Sequence, residues 1–295
     1  MNNNNLESVR KLHKNKMAYL MLSASLLGFL FFYIIPYFIS MFYAFVDNPL
    51  SKRFVELSNY RDLLNNKYFL RGLKNTIIFM CISIPLNMII SLGLAMICNK
   101  IKVFSKYLNL VFLIPLAIPS ATTAFFWKQV FSLNGFLNKL LVRFNFGAVD
   151  WLNSKYSMYI MVFIFLWKNI GYNMILFIAG LNNIPKSYYE CAQIEGASRW
   201  QQFRIITLTY LIPTFFLVFI MTFINSFKVF KEIYILTGDN PHENIYILQH
   251  FMNNMFMSLN YPKLVSSISI LITIIISMIV VVFIFEGRVS KNLSE

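Results

Sequence analysis

Acidic residues are scarce in this chain: 12 Asp and Glu stand against 26 Lys and Arg in 295 residues, a formal net charge of +14. Charges of both signs make up 13 % of the residues, about half the roughly 25 % of soluble domains. Cysteine is nearly missing, with Cys81 and Cys98 in one apolar run and Cys191 in a polar loop, and the histidines are His13, His242 and His250. Neither set has metal-ligand spacing or a disulfide framework, so no metal and no cofactor is expected. A G-x-x-x-x-G-K-[ST] phosphate loop does not occur, which argues against ATP binding and hydrolysis by the chain itself. No obvious repeat relates the two halves, and no Asp or Glu falls within the apolar runs delimited below. Both absences count against a stand-alone, proton-coupled carrier or a channel acting alone. The basic residues are scattered over loops, which sets nucleic acid aside and suits anionic lipid headgroups.

What is abundant is apolar. Hydrophobic residues make up 58 % of the chain and aromatic residues 17 %, and the mean hydropathy is +0.60. Six charge-poor runs are long enough for a bilayer, which needs about 20 apolar residues: 19–40, 76–98, 107–127, 157–181, 205–227 and 264–285. Runs this continuous exclude the alternating strands of a barrel, so the expected fold is an all-α membrane protein with six transmembrane helices. Arg10, Lys11, Lys14 and Lys16 precede the first run, which lacks a small-x-small cleavage site after a short core and reads as an uncleaved span. These cations hold residues 1–18 in the cytoplasm, and six crossings return 286–295 to the same side. Positive charge is spread almost evenly over the remaining loops, so orientation rests on the first helix.

Between the fourth and fifth runs, the loop 182–204 is longer than a connector requires. Within it, "SYYECAQIEGASRWQQF" (187–203) reads as two short helices about a glycine. Ser187 with Glu190 forms one S-x-x-E capping box, and Ser198 with Gln201 repeats the pattern. Gly196 supplies a left-handed stop between them. Ala192, Gly196 and Ala197 are small enough to let another surface approach, while Tyr188, Tyr189 and Trp200 are anchors of the kind enriched in interface cores.

The stretch "ECAQIEGASRWQQFRIITL" resembles the cytoplasmic loop of permease subunits of binding-protein-dependent ABC importers, whose pattern is Glu-Ala-Ala, three residues, Gly, nine residues, Ile-x-Leu-Pro. Glu190, Ala192, Gly196, Ile206 and Leu208 are in register; Cys191 and Thr209 depart from it. "NYRDLLNNKYFLRGLKNT" (59–76), "FLIPLAIPSATTAFFWKQVF" (112–131), "GFLNKLL" (135–141), "LWKNIGYNMILFIAGLNNIPKSYYE" (166–190) and "YILTGDNP" (234–241) resemble the carbohydrate-uptake branch, in the maltose and glycerol-3-phosphate style, and its first permease. The resemblance implies a type I ABC importer permease fold over 19–285, with 187–203 as a coupling helix seated in a separate ATPase. It also implies a heterodimer with a second permease, two ATP-binding subunits and an extracytoplasmic solute-binding protein. Glu190, Ala192, Gly196, Ala197, Ile206 and Leu208 would then be the coupling residues, and the chain would not be an enzyme. Asp239 and Asn240 stand where that branch has glycines, which leaves the cargo open between a sugar and another small solute such as glycerol-3-phosphate, a polyamine or an amino acid.

A sugar path through the spans would need hydrogen-bonding groups. The candidates are Asn87, Thr122, Thr123, Asn169, Asn173 and Asn225, with Lys168 as the one charge inside a run; such groups also commonly bond neighbouring helices, for about 0.6–2 kcal/mol each.

Overall fold

The computed structural model describes Tyr19, residues 22–101 and residues 105–294. The cationic segment Arg10–Lys16 lies outside the described residues. Two compact units make up the chain: residues up to 65 with 255–271, and residues 66–254 with 272–295.

In the first unit, α1 (Leu22–Phe45) is long and apolar enough to cross a membrane. It widens into a π-turn at Leu30–Ile34, just ahead of Pro36, where the missing N–H and the bulk of the ring oppose regular helical bonding. After α2 (Ser58–Leu64), the first part of α12 (Tyr261–Ser294) completes this unit. Asn59 supplies the lock. Its Nδ2 donates to the carbonyls of Ala44 (2.9 Å) and Val46 (2.8 Å), closing the end of α1, and Ser269 Oγ donates to Tyr60 Oη at 2.9 Å.

The second unit starts with Asn66, whose side chain accepts from Tyr68 N and Phe69 N and caps the 34-residue α3 (Lys67–Lys100). Next come α4 (Ser105–Ala117) and α5 (Ser120–Phe131). The expected third span, 107–127, is not one straight helix here. Pro119 is extended, with ψ at 145°, and it disfavours helical backbone at the residue before it. The axis accordingly bends by 100° between Leu110–Ala117 and Ser120–Arg143. Counting that bent pair as one span brings the five long apolar helices among the described residues to six.

The short α6 (Phe136–Arg143) leads to α7 (Ser157–Asn182), which packs along α3 and α4. Gly171 allows the closest approach: a Cβ there would lie 1.8 Å from the carbonyl oxygen of Phe112. Trp127 sits among the rings of Phe131, Phe163 and Trp167, at centroid distances of 5.1–5.4 Å, and the core continues through Phe79, Ile164 and Ile233. Two asparagines fix the loops of this unit. Asn138, 2 % exposed, donates to the carbonyls of Ser132, Leu133 and Val149 and accepts from Val149 N and Trp151 Nε1. Asn75 donates to Glu243 O and Tyr246 O. Buried amides persist when their polar atoms are paired in this way.

After the loop following α7 come α8 (Lys186–Ile194) and α9 (Arg199–Gln202), then a π-turn at Phe203–Thr207, one helical turn at Leu208–Tyr210, and α10 (Ile212–Thr237). The chain breaks at Leu211, just before Pro213 at the start of α10. The helix α11 (Leu248–Met257) precedes α12.

Candidate functional site

Two places concentrate the polar chemistry, and both lie in the second unit. The first is the elbow from α8 to α9. Pro185, with φ at −61° and ψ at 133°, is the N-cap of α8, and no side chain caps this helix. The expected Ser187–Glu190 box is therefore not formed. Pro185 starts the helix two residues earlier than that box requires, so Ser187 falls inside the first turn, beyond the position from which a hydroxyl can cap it. Glu190 is exposed.

The other end of α8 matches expectation. Gly196 has φ at +79°, its N–H donates to Gln193 O at 3.1 Å, and Ala197 N donates to Ala192 O at 2.8 Å. That pair of bonds is a Schellman closure, which needs a left-handed residue at the glycine position. Ala192 and Ala197 are thus its two backbone partners. Ser198 and Gln201 form a reciprocal box, Ser198 N donating to Gln201 Oε1 (2.7 Å) and Gln201 N to Ser198 Oγ (3.3 Å).

The elbow is strapped to the chain that follows it. Tyr189 Oη and Thr207 Oγ1 are 2.8 Å apart, and the rings of Tyr188 and Tyr210 are 5.1 Å apart. Tyr189 therefore turns inward, unlike the anchor expected of it, and Ile206 and Leu208 are half-buried. Ile194 is 87 % exposed, Trp200 68 % and Ile205 67 %, leaving an apolar ridge uncovered in this chain. An open cavity of about 440 Å³ lies between this hairpin and the end of α3, with Tyr189, Arg199 and Lys100 on its wall.

The second place is a cavity of about 220 Å³ between the start of α5, the middle of α7 and the last third of α10. Lys168, Asn169 and Asn225 of the expected path residues line it, joined by Ser120, Lys228, Lys231 and Glu232. Lys168 Nζ forms an ion pair with Glu232 Oε1. Ser120 Oγ lies 2.8 Å from the same carboxylate oxygen and accepts from Lys168 at 3.2 Å. The two side chains are 17 % and 4 % exposed, so the charges sit where an unpaired one would be costly. Lys228 Nζ donates to Asn225 Oδ1 at 2.9 Å.

Glu232 corrects the sequence reading. A fifth run ending at residue 227 left it outside the spans, whereas α10 continues to Thr237 and buries it at 3 % exposure. The absence of acid within the spans is thus no ground against a proton-coupled carrier. The signal that could have found it is helical spacing: 225, 228 and 232 recur on one face, but Lys228 and Lys231 had closed the apolar run.

The remaining path candidates lie elsewhere. Asn173 Nδ2 donates to Asn87 Oδ1 (2.5 Å) and Thr222 Oγ1 (2.7 Å), and Ser91 Oγ bonds Asn87 Oδ1 and Ile170 O. Asn87 and Asn173 are 0 % and 1 % exposed and staple α3, α7 and α10 together. Thr123 is buried and Thr122 exposed, and neither lines the cavity. Outside the apolar helices, His250 packs between Phe230 and Tyr246, and burial pushes its pKa down to about 4, which keeps it neutral near pH 7.

An all-helical membrane protein with a broken third span, a polar cavity among its helices and a strapped elbow in its longest inter-span loop belongs, by architecture, among the membrane components of transport systems. Residues 89–294 match the binding-protein-dependent transport system inner membrane component family, and the chain is a member of it. It is 31 % identical over 295 residues to the trehalose/maltose transport system permease protein MalF of Thermococcus litoralis, covering 98 % of this chain and 99 % of that one. It is 30 % identical over 282 residues to the arabinooligosaccharides transport system permease protein AraP of Bacillus subtilis, covering 90 % and 88 %. A solved chain of a bacterial ABC transporter involved in the import of the acidic polysaccharide alginate shares the fold, with a TM-score of 0.81 at 21 % identity over 98 % of this chain and 100 % of that one.

Proposed function

We propose that the chain is one permease subunit of an ABC importer for a sugar or sugar derivative. It pairs with a second permease, two copies of an ATP-binding subunit and an extracytoplasmic solute-binding protein that delivers the cargo. ATP hydrolysis falls to the separate subunits, so the chain itself is not an enzyme. In the proposed topology both termini and the 182–204 loop face the cytoplasm.

The observation that carries this reading is the strapped elbow. The Gly196 turn projects Ile194 and Trp200 outward, while Tyr188 and Tyr189 tie the same hairpin to Tyr210 and Thr207, directly before α10. A push on the exposed ridge by a closing ATPase would pass through those straps to α10, the helix that carries Asn225 and Glu232 to the cavity wall. Gly196, Ala192 and Ala197 set the turn; Glu190, Ile206 and Leu208 complete the coupling segment. Near-full-length similarity to two saccharide permeases supports a sugar as the cargo.

The test is reconstitution of all subunits in proteoliposomes with labelled maltose, trehalose or arabinotriose. Uptake should require ATP and the binding protein, and a Glu195→Cys variant should cross-link to the ATPase. Transport by this chain alone, without ATP or partners, would instead make it a stand-alone carrier and overturn the proposal.

A further inference from the structure

We infer that the cavity between α5, α7 and α10 receives the anionic group of an acidic saccharide, a carboxylate or a phosphate carried on the sugar, rather than a neutral sugar. This rests on the saccharide import proposed above and specifies its cargo.

The charge on the wall is the starting observation. Three ammonium groups, from Lys168, Lys228 and Lys231, line about 220 Å³ together with one carboxylate, Glu232. Lys168 and Glu232 pair with each other, and Ser120 bonds both, so that part of the wall is electrically satisfied. Lys228 and Lys231 have no acid within ion-pair distance among the described residues. The wall therefore carries an excess of two positive charges. Lys228 and Lys231 are exposed where they line the cavity, so their ammonium groups are open to an incoming ligand, and such compact heads bind oxyanions as point charges.

What the wall lacks points the same way. Recognition of a neutral sugar usually draws on an open aromatic face against which its C–H face can lie. The ring nearest to such a role is Phe165, but it is 2 % exposed and packed edge-to-face on Phe79 at 5.4 Å. The cavity instead offers ammonium groups beside the amide of Asn225. Its volume is below the roughly 300–1,000 Å³ of drug-sized ligand sites, which suits one charged residue of a saccharide passing at a time.

The experiment uses the complete importer in proteoliposomes with three labelled probes: digalacturonate, glucose 6-phosphate and maltose. ATP-dependent uptake of at least one acidic probe is expected. At equal amounts of assembled complex it should fall at least tenfold in Lys228→Gln/Lys231→Gln and recover in Lys228→Arg/Lys231→Arg. A loss confined to digalacturonate identifies the carboxylate, and one confined to glucose 6-phosphate the phosphate. Uptake of maltose with neither acidic probe, or acidic uptake that ignores the double variant, overturns the inference and leaves saccharide import standing. Uptake of none of the three overturns the inference, and uptake of trehalose or arabinotriose then decides whether saccharide import stands.

A second measurement does not depend on transport. In a background with Cys81, Cys98 and Cys191 replaced by Ser, Asn225→Cys is labelled with anionic sulfonatoethyl and cationic trimethylammonioethyl methanethiosulfonate. Relative to a free thiol in solution, the anionic reagent should be favoured by about tenfold, and Lys228→Gln/Lys231→Gln should abolish that preference. Preference for the cationic reagent overturns the inference.

Discussion

Lys168 and Glu232 are 64 residues apart and meet inside the protein; Ser198 and Gln201 are three residues apart and bond each other twice at an exposed turn. The cavity is made by tertiary packing, since Lys168, Glu232 and Ser120 find their partners on different helices, although Lys228–Asn225 and Asn169–Phe165 bond along one helix. The elbow is made by backbone rules acting over about a dozen residues. Damage should therefore spread differently. In the cavity, losing one partner strands another in a poorly solvated place, whereas at the elbow a lost group is replaced by water and only the angle of the chain changes.

The largest expected effect follows from that asymmetry. Glu232→Ala leaves Lys168 buried without its counter-charge, which should destabilise the protein by about 3–5 kcal/mol. Replacing both partners, Lys168→Met with Glu232→Leu, should return most of that loss, since a packed apolar pair is often as stable as a buried ion pair. Thermal unfolding of the purified complex measures both. Equal damage from single and double variants would mean that the pair is not the unit of stability here.

Next is the asparagine staple. Asn173→Ala removes the donor to Asn87 and Thr222, and the buried groups left without it should cost about 1–3 kcal/mol. Coupling by a double-mutant cycle with Asn87→Ala should exceed the error of the single effects. Strict additivity would mean that the two amides do not act together.

How far each region could be read from sequence follows the same division. The six apolar runs, the glycine turn at 196 and the second capping box depend on composition and on neighbours within a few residues, and the sequence contains those. The first capping box was misread because Pro185 claimed the helix start, a local competition decided by one ring. The buried acid at 232 was missed because it lies beyond the end of an apolar run, where hydropathy alone draws the boundary too soon. The bend at 119 falls inside a run, where hydropathy carries no directional information and only the proline signals a kink. Asn59, Asn75 and Asn138 stood in the quoted segments only as parts of a resemblance. Their physical task, closing loops through several bonds each, is visible only once the distant carbonyls are in place. For the same reason Asn87 and Asn173 could not be separated from Asn169 and Asn225 beforehand: an amide in an apolar run looks the same whether it faces a neighbouring helix or a cavity.

At the elbow the expected effects on stability are smaller and those on function more selective. Nothing lies within 4 Å of a Cβ built on Gly196, so the demand there comes from the positive φ alone. Gly196→Val should cost roughly 1–2 kcal/mol of local conformation and sharply reduce ATP-driven uptake at normal amounts of inserted subunit. Gly196→Asn, which tolerates the left-handed region, should retain much more. Equal activity of the Val and Asn variants would reduce the turn to a connector.

The smallest effect separates the two capping patterns, which look alike in sequence. Ser198 caps α9 in the structure, and loss of its hydroxyl leaves the Gln201 N–H to water, while the bond from the residue 198 backbone N–H to Gln201 Oε1 can persist. Ser198→Ala should therefore cost about 0.5–2 kcal/mol, toward the lower end because the site is exposed. Ser187 sits inside the first turn of α8 and caps nothing, so Ser187→Ala should be close to neutral, or slightly favourable given the higher helix propensity of Ala. Hydrogen exchange on the amides of 199–202 and 186–190 in the assembled complex reads each end separately. Faster exchange at 199–202 in Ser198→Ala, with no change at 186–190 in Ser187→Ala, is the expected pair. Equal protection loss at both ends would mean that Ser187 does cap α8 and that Pro185 does not set its start.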